Sequence, residues 1–274
     1  MNVFVFDIET VPDVAGGRRL LGLDGLSDDE VMAAMQARRR ADAGTDFMRL
    51  HLHRIVVVSI VLRAGDRLKV WSLGDGGDDE ADILQRFFDG IDRFSPTLVS
   101  WNGSGFDLPV MHYRAMLHGI TAPRYWETGA TEQSFRWNNY LNRFHERHTD
   151  LMDMLAGYQP RANCPLDELA TLCGFPGKMG MSGAAVADAM REGRFDEIRD
   201  YCETDVLNTY LLYLRFQLMR GHLDHARYAE ECALLRDMLK DSEKAHFQAF
   251  DGAWQASPLE SATTRASSPP SEDL

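Results

Sequence analysis

Basic residues are in short supply in this chain: Lys and Arg number 29 against 42 Asp and Glu, a formal net charge of -13 over 274 residues. Affinity for phosphate backbones comes largely from Lys and Arg, so this balance excludes a tight, non-specific nucleic-acid binder held by overall charge. Cysteine is scarce as well. Cys164, Cys173, Cys202 and Cys232 are widely scattered, with no C-x-x-C and no Cys/His ligand spacing, which predicts reduced core thiols and gives zinc no support. No run of about 18 apolar residues occurs, and the N-terminus enters a strand without a basic leader. The sequence therefore predicts neither a membrane span nor a signal peptide, and a soluble, cytoplasmic protein.

What is present is enough apolar material, 45% of residues, for one good-sized core with a small appendage. The charge is uneven. Between Leu108 and Pro165 six arginines face five acids, with four histidines besides, whereas from Gly221 onward ten acids face five bases. An enzyme that touches a few phosphates transiently needs only such a local basic lip.

Hydrophobic periodicity orders the elements. VFVF opens as a buried strand, and VPDVAGGRRLLGLDG follows as a Gly-rich loop. A helix begins at Ser27-Asp28-Asp29-Glu30, a capping-box pattern, and stops near Gly44. HRIVVVSIVLRAG and DRLKVWSLG read as a hairpin, EADILQRFFDGID as a helix, SPTLVSW as a short buried strand and DLPVMHYRAMLHG as a helix closed by Gly119. Residues 120–149 are irregular, aromatic and Arg-rich. Short helices, the loop FPGKMGMSG and a long helix from about Asp196 to Arg220 follow, then one amphipathic helix within Leu223 to Phe250. The expected division is 1–220 as the main domain, 221–250 as a helical extension packed on it, and 251–274 as a disordered Ser/Pro-rich tail whose deletion past about residue 255 leaves activity unchanged. Three strands followed by alternating units predict an α/β domain, a mixed sheet flanked by helices.

Three acidic segments stand out against this background. In FDIET the strand alternation puts Asp7 and Glu9 on one face, where two like charges must be solvated, share a proton or hold a cation. In WNGSGFDLP, Asp107 sits at the mouth of a helix, which is also an ordinary capping position, and at the carboxyl end of a strand, where open α/β sheets bind ligands. In RDYCETDVLNTY, Tyr201 and Asp205 are four apart and share a helix face; as a plain solvated face this segment would leave Asp200 and Glu203 in water.

In order, the segments spell F-D-I-E-T, N-x-x-x-F-D and Y-x-x-x-D, and from about Asn2 to Arg220 the chain resembles the DEDD superfamily of 3'-5' exonucleases in its tyrosine-bearing (DEDDy) branch. The histidine-bearing branch would place His at position 200, which is Asp here. More closely, the chain is similar to the predicted stand-alone exonucleases related to the proofreading domain of family B DNA polymerases. The resemblance implies a ribonuclease H-like fold and a metal-dependent 3'-5' exonuclease that trims single-stranded DNA 3' ends, with RNA also open, to nucleoside monophosphates. It implies two Mg²⁺ ions, with Mn²⁺ as a substitute: Asp7 bridging both, Glu9 and Asp205 completing the site of the water-activating ion, Asp107 holding the other largely through water. Tyr201 would orient the attacking water. Thr10, Asn102, Phe106 and Lys178 are the implied substrate contacts. Asp150 and Asp153 read as helix-start residues, and His51, His53 and His148 as surface or packing histidines. The competing readings are a non-catalytic nucleic-acid or protein-binding module on the same fold, and a phosphatase of small esters.

Overall fold

Alternation along the first strand divides the protein into two cores. The computed structural model describes residues 2–255. In β1 (Asn2–Pro12), Val3 and Val5 face one way and Phe4, Phe6 and Ile8 the other, as a period of two requires. The first face meets α8 (Phe195–Met219) through Val206, Leu207 and Tyr210. The second meets α3 (Glu80–Phe94) through Ile83, Phe87 and Ile91, and α4 (Asp107–His118) through Leu108 and Met111. Helices therefore cover both faces of one sheet. The sheet has five strands in the order β3-β2-β1-β4-β5 and is mixed: β2 (His53–Ala64) and β3 (Arg67–Leu73) are antiparallel, β4 (Thr97–Ser100) and β5 (His148–Asp150) parallel. This is the α/β, ribonuclease H-like arrangement expected from the sequence.

The feature that positions the site is a mismatch in strand length. β1 pairs with β2 along its whole course but with β4 only at Val3 to Val5. Beyond that point its second edge is open, and the chain leaving β4 folds into the opening. A bulge between Glu9 and Thr10 shifts the β1–β2 register at the same level.

The capping box at Ser27 and Glu30 forms as expected and opens α2 (Asp28–Ala43), which Gly44 closes in the left-handed region. Five expectations need correction. The Gly-rich stretch after β1 is a helix, α1 (Val14–Leu21), not a loop. Asp13 caps it by accepting from the Gly16 N–H and is itself held by buried Arg114. Gly17 is used for close packing, since a Cβ there would lie 2.1 Å from Met35 Sδ. The three-residue β5 escaped the pattern because it is too short and too polar for a period of two to register. Its side chains are satisfied locally, His148 by Ser100 Oγ and Asp150 by backbone N–H groups. The C-terminal segment is two helices, α9 (His225–Asp241) and α10 (Ala245–Ala253), broken at Ser242 to Lys244. Order also runs past residue 250: Trp254 is buried and Gln255 N–H donates to Gly174 O, so 251–255 are not tail, while the rest of the expected tail lies outside the described residues.

Glu203 is likewise not a solvated charge. It is buried, accepting from Ser72 Oγ at 2.9 Å and held by Lys244 Nζ at 2.7 and 2.8 Å and His246 Nε2 at 2.7 Å. Burial disfavours its charge, but His246, Lys244 and Ser72 outweigh that and keep its carboxyl below the usual range.

Helices α9 and α10 bury Tyr228, Leu235, Leu239, Phe247 and Phe250 in the same core as α8, whose middle turns are buried all round. A chain ending at Arg220 is expected to lose its cooperative thermal transition and to bind a hydrophobic dye. A sharp melt within a few degrees of the full chain would show instead that 1–220 folds alone.

Candidate active site

Side chains from three separated segments converge where β1 overhangs β4. Asp7 and Glu9 lie on the α8 side of β1, as their spacing predicts. Cys202 of α8 reaches across to them, its Sγ 3.5 Å from Asp7 Oδ2, and one ligand atom each from Asp7, Glu9 and Cys202 fall within 4.8 Å of one another. Asp107 enters from the other side. Its Oδ1 accepts the Ile8 N–H at 3.2 Å, so a carboxylate occupies the place on β1's open edge that a strand would have filled. It is the first residue of α4, one position inside the cap, and buried.

The turn that delivers Asp107 is tightly specified. Asn102 adopts φ 64°, a left-handed conformation that Asn tolerates better than most residues, and its N–H and that of Ser104 donate to Asp150. A Cβ on Gly103 would lie 2.3 Å from Ser100 Oγ, so only glycine fits. Asp150 thus acts as a brace for this turn and as the cap of α5 (Leu151–Leu155), in keeping with a helix-start role.

Electrostatics tie the fourth carboxylate to the rest. Burial, then Asp107, Glu9 and Asp205 in that order, push Asp7 well above its ordinary value; burial, then Asp205 and Asp107, do the same to Glu9. Asp107 is pushed up to about 7 and Asp205 to about 6, burial being the largest cause in each. Tyr201 faces Asp205, and burial together with the charges of Asp205, Glu9 and Asp7 holds its hydroxyl far above its ordinary value, so it stays protonated and can only donate or accept as a phenol. The structure therefore brings together Asp7, Glu9, Asp107, Tyr201 and Asp205.

The remaining sequence candidates lie around this centre. Thr10 Oγ1 is 2.9 Å from His53 Nδ1, and Phe106 packs edge-on against the His53 ring at 5.1 Å. Lys178 is exposed, near enough for its charge to lower Asp205. His53 and His148 are buried packing residues, as expected, but His53 also orients Thr10. Two neighbours were missed. Cys202 was legible, being next to Tyr201 and one helical turn from Asp205; Phe47, in an irregular loop, carried no signal.

Four crowded acids with no ion pair among the described residues, and only the charge of Lys178 nearby, are chemically incomplete. Buried ion pairs of the described residues, such as Arg63–Glu231, Arg114 with Asp13 and Glu80, and Lys244–Glu203, lie elsewhere, and none reaches these four. Hard oxygen donors at this density fit divalent cations such as Mg²⁺. A second acidic group, Asp200, Glu203 and His246, does not fit, because Lys244 already occupies both Glu203 oxygens.

Fold and centre together define the class: a ribonuclease H-like α/β protein with a carboxylate cluster able to hold metal ions. Residues 45–254 match the family described as predicted 3'-5' exonuclease related to the exonuclease domain of PolB, and the chain belongs to that family. The match contains Asn102 to Asp107, Tyr201 and Asp205; Asp7, Glu9, α1 and α2 precede it. Over 129 residues the chain is also 31% identical to the catalytic polypeptide of DNA polymerase epsilon from Saccharomyces cerevisiae, a stretch amounting to 41% of this chain and 6% of the yeast protein. Among the described residues no helix is long and apolar enough to cross a membrane.

Proposed function

We propose that this chain is a working 3'-5' exonuclease of the tyrosine-bearing DEDD type, trimming single-stranded DNA from its 3' end to nucleoside monophosphates. The observation that carries the reading is the gathering of four carboxylates that no described ion pair engages, with one protonated tyrosine, around the open end of β1. Asp7, Glu9, Asp107 and Asp205 would hold two divalent ions, Mg²⁺ or Mn²⁺. Such ions supply a nucleophile at neutral pH and stabilise the charge that develops on the leaving 3'-oxygen. The carboxylates are the protein's share of that charge balance, fixed before substrate arrives by the Ile8 N–H and the Cys202 thiol.

Tyr201 acts as an orienting group rather than a base. Its proton stays on at neutral pH, so its hydroxyl aligns the attacking water by hydrogen bonding. Tyr201→Phe is expected to lower kcat roughly 10²-fold with KM nearly unchanged, as loss of alignment does. An equal fall in both constants would assign it to substrate binding instead. Thr10, Asn102 and Phe106 line the approach to the terminal nucleotide, and Lys178 meets a phosphate. The 1–220 core carries the whole set, with α9 and α10 as its support.

The test is a gel time course with 5'-labelled single-stranded DNA and RNA of one sequence, in Mg²⁺, Mn²⁺ or EDTA. A ladder shortening from the 3' end and abolished by EDTA is the expected result. Binding without shortening would make the chain a non-catalytic module, and release of phosphate from mononucleotides alone would make it a phosphatase.

A further inference from the structure

Phe47 is used by nothing in this reading, yet it is held in place. It lies in the loop after α2 and is 55% exposed. Its carbonyl accepts from Arg39 Nε at 2.7 Å and its N–H donates to Thr45 Oγ1 at 3.2 Å. Its ring centroid is 5.0 Å from that of His53 and 5.7 Å from that of Phe106, and those two rings meet edge-on. The wall they form is anchored to the site at both ends: His53 bonds Thr10, which follows Glu9, and Phe106 precedes Asp107.

The surface beside this wall reverses the sign of the molecule. Arg38, Arg39, Arg49 and His51 line a hollow of about 220 Å³ between α1, α2 and the turn at 50–52, with Asp42 the acid among them. Arg38 and Arg49 approach Asp42 only loosely, at 4.0 and 3.9 Å, and stay 66% and 60% exposed. In a chain of net charge -13, arginines grouped beside a half-exposed aromatic ring match the two needs of an unpaired strand: a face for its bases and cations for its phosphates.

We propose that Phe47, backed by His53 and Phe106, is the stacking platform for a base at the 3' end of the substrate, and that Arg38, Arg39 and Arg49 receive the phosphates upstream of it. This rests on the exonuclease reading and names how that site would recognise a single strand. Because a ring accepts any base, the platform would act without sequence preference. It would favour unpaired ends, whose bases are free to leave the stack. Arg38 and Arg39 lie on α2, before the matched family segment, whereas Phe47, Arg49 and His51 lie within it.

The experiment uses the full chain and a single strand with 2-aminopurine as its 3' base, bound with Ca²⁺ in place of Mg²⁺ to suppress cleavage. Wild type should quench the fluorescence severalfold, and Phe47→Ala should lose most of the quench. With Mg²⁺, Phe47→Ala should raise KM about 10-fold and leave kcat within about 2-fold, the size expected of one lost base–aromatic contact. Phe47→Trp should keep both quench and KM, and a strand ending in an abasic nucleotide should bind wild type and Phe47→Ala alike. Arg49→Glu should raise KM and flatten its salt dependence. An unchanged quench and KM in Phe47→Ala would overturn the proposal and leave Phe47 as a cover for Phe106. Quenching by wild type without any strand shortening would keep the platform and sink the exonuclease reading, so the two failures are distinct.

Discussion

Asp7→Ala is expected to reduce strand shortening by at least ~10³-fold, about 4 kcal/mol of transition-state stabilisation, while the protein stays folded. Asp7 is the acid on which the charges of Asp107, Glu9 and Asp205 all act, so it stands at the centre of the cluster. In the proposed mechanism, removing it takes away one of the carboxylates that would hold the divalent cations. The fold should survive because the substitution removes one of several crowded like charges, and the strand keeps its pairing with β2 through backbone groups. Single-turnover rates alongside a thermal melt would check this, with Asp237→Ala, an exposed acid of α9, as the control for net charge. Retention of more than about a tenth of the wild-type rate by a folded Asp7→Ala protein would remove the cluster from the chemistry.

The second large effect concerns stability in the absence of metal. Asp107 and Asp205 are pushed from 3.8 up to about 7 and about 6, burial first, with Asp150 adding to the first and Asp167 to the second. In the unfolded chain such carboxyls ionise near their ordinary value. As pH rises past that value the unfolded state releases protons that the folded state still binds, so the folded state loses ground until its own acids ionise. Metal-free protein should therefore lose stability steadily from about pH 4 through about pH 7, and go on losing it above for as long as Asp7 and Glu9, also held well above their ordinary values, keep their protons in the fold. A divalent cation favours the ionised form, so Mg²⁺ should raise Tm little near pH 5 and clearly near pH 8. Asp107→Asn keeps an acceptor for the Ile8 N–H and removes the charge. It should raise the metal-free Tm near pH 8 by roughly 3–10 °C, corresponding to an order-of-magnitude gain of 1–3 kcal/mol. Thermal melts in EDTA and in Mg²⁺ at both pH values decide the matter: a metal-free Tm that rose between them would contradict the charge account.

Much of this protein was open to local reading. The alternation in VFVFDIET put Asp7 and Glu9 on one face before any partner was known. The capping box at Ser27 and Glu30 started α2 where it starts. The four-residue step from Tyr201 to Asp205 placed both on one side of a helix. Each follows from a period of two or 3.6, and a period needs only neighbours in sequence. Errors fell where the deciding contact was remote. VAGGRRLL looked like loop because two glycines lower helix propensity, and it is helical because Asp13 caps it, Arg114 pins that cap and Met35 needs Gly17 to be small. Glu203 looked solvated because its partners Lys244 and His246 are 41 and 43 residues away. HTD gave no strand signal because β4, not its own pattern, makes it a strand.

The sequence by itself determined the acids, their faces and the family resemblance that links them, because those depend on residue type and spacing. Only the tertiary structure decided that β1 outlasts β4, that Asp107 takes the Ile8 N–H on the edge thus left open, and that Cys202 closes over Asp7 from 195 residues away. It also set Phe47 against His53 and Phe106 beside that edge. The physical reason is one of range: backbone periodicity is fixed by adjacent residues, whereas burial, repulsion among like charges and the stacking of rings depend on distances that exist only once the sheet has formed.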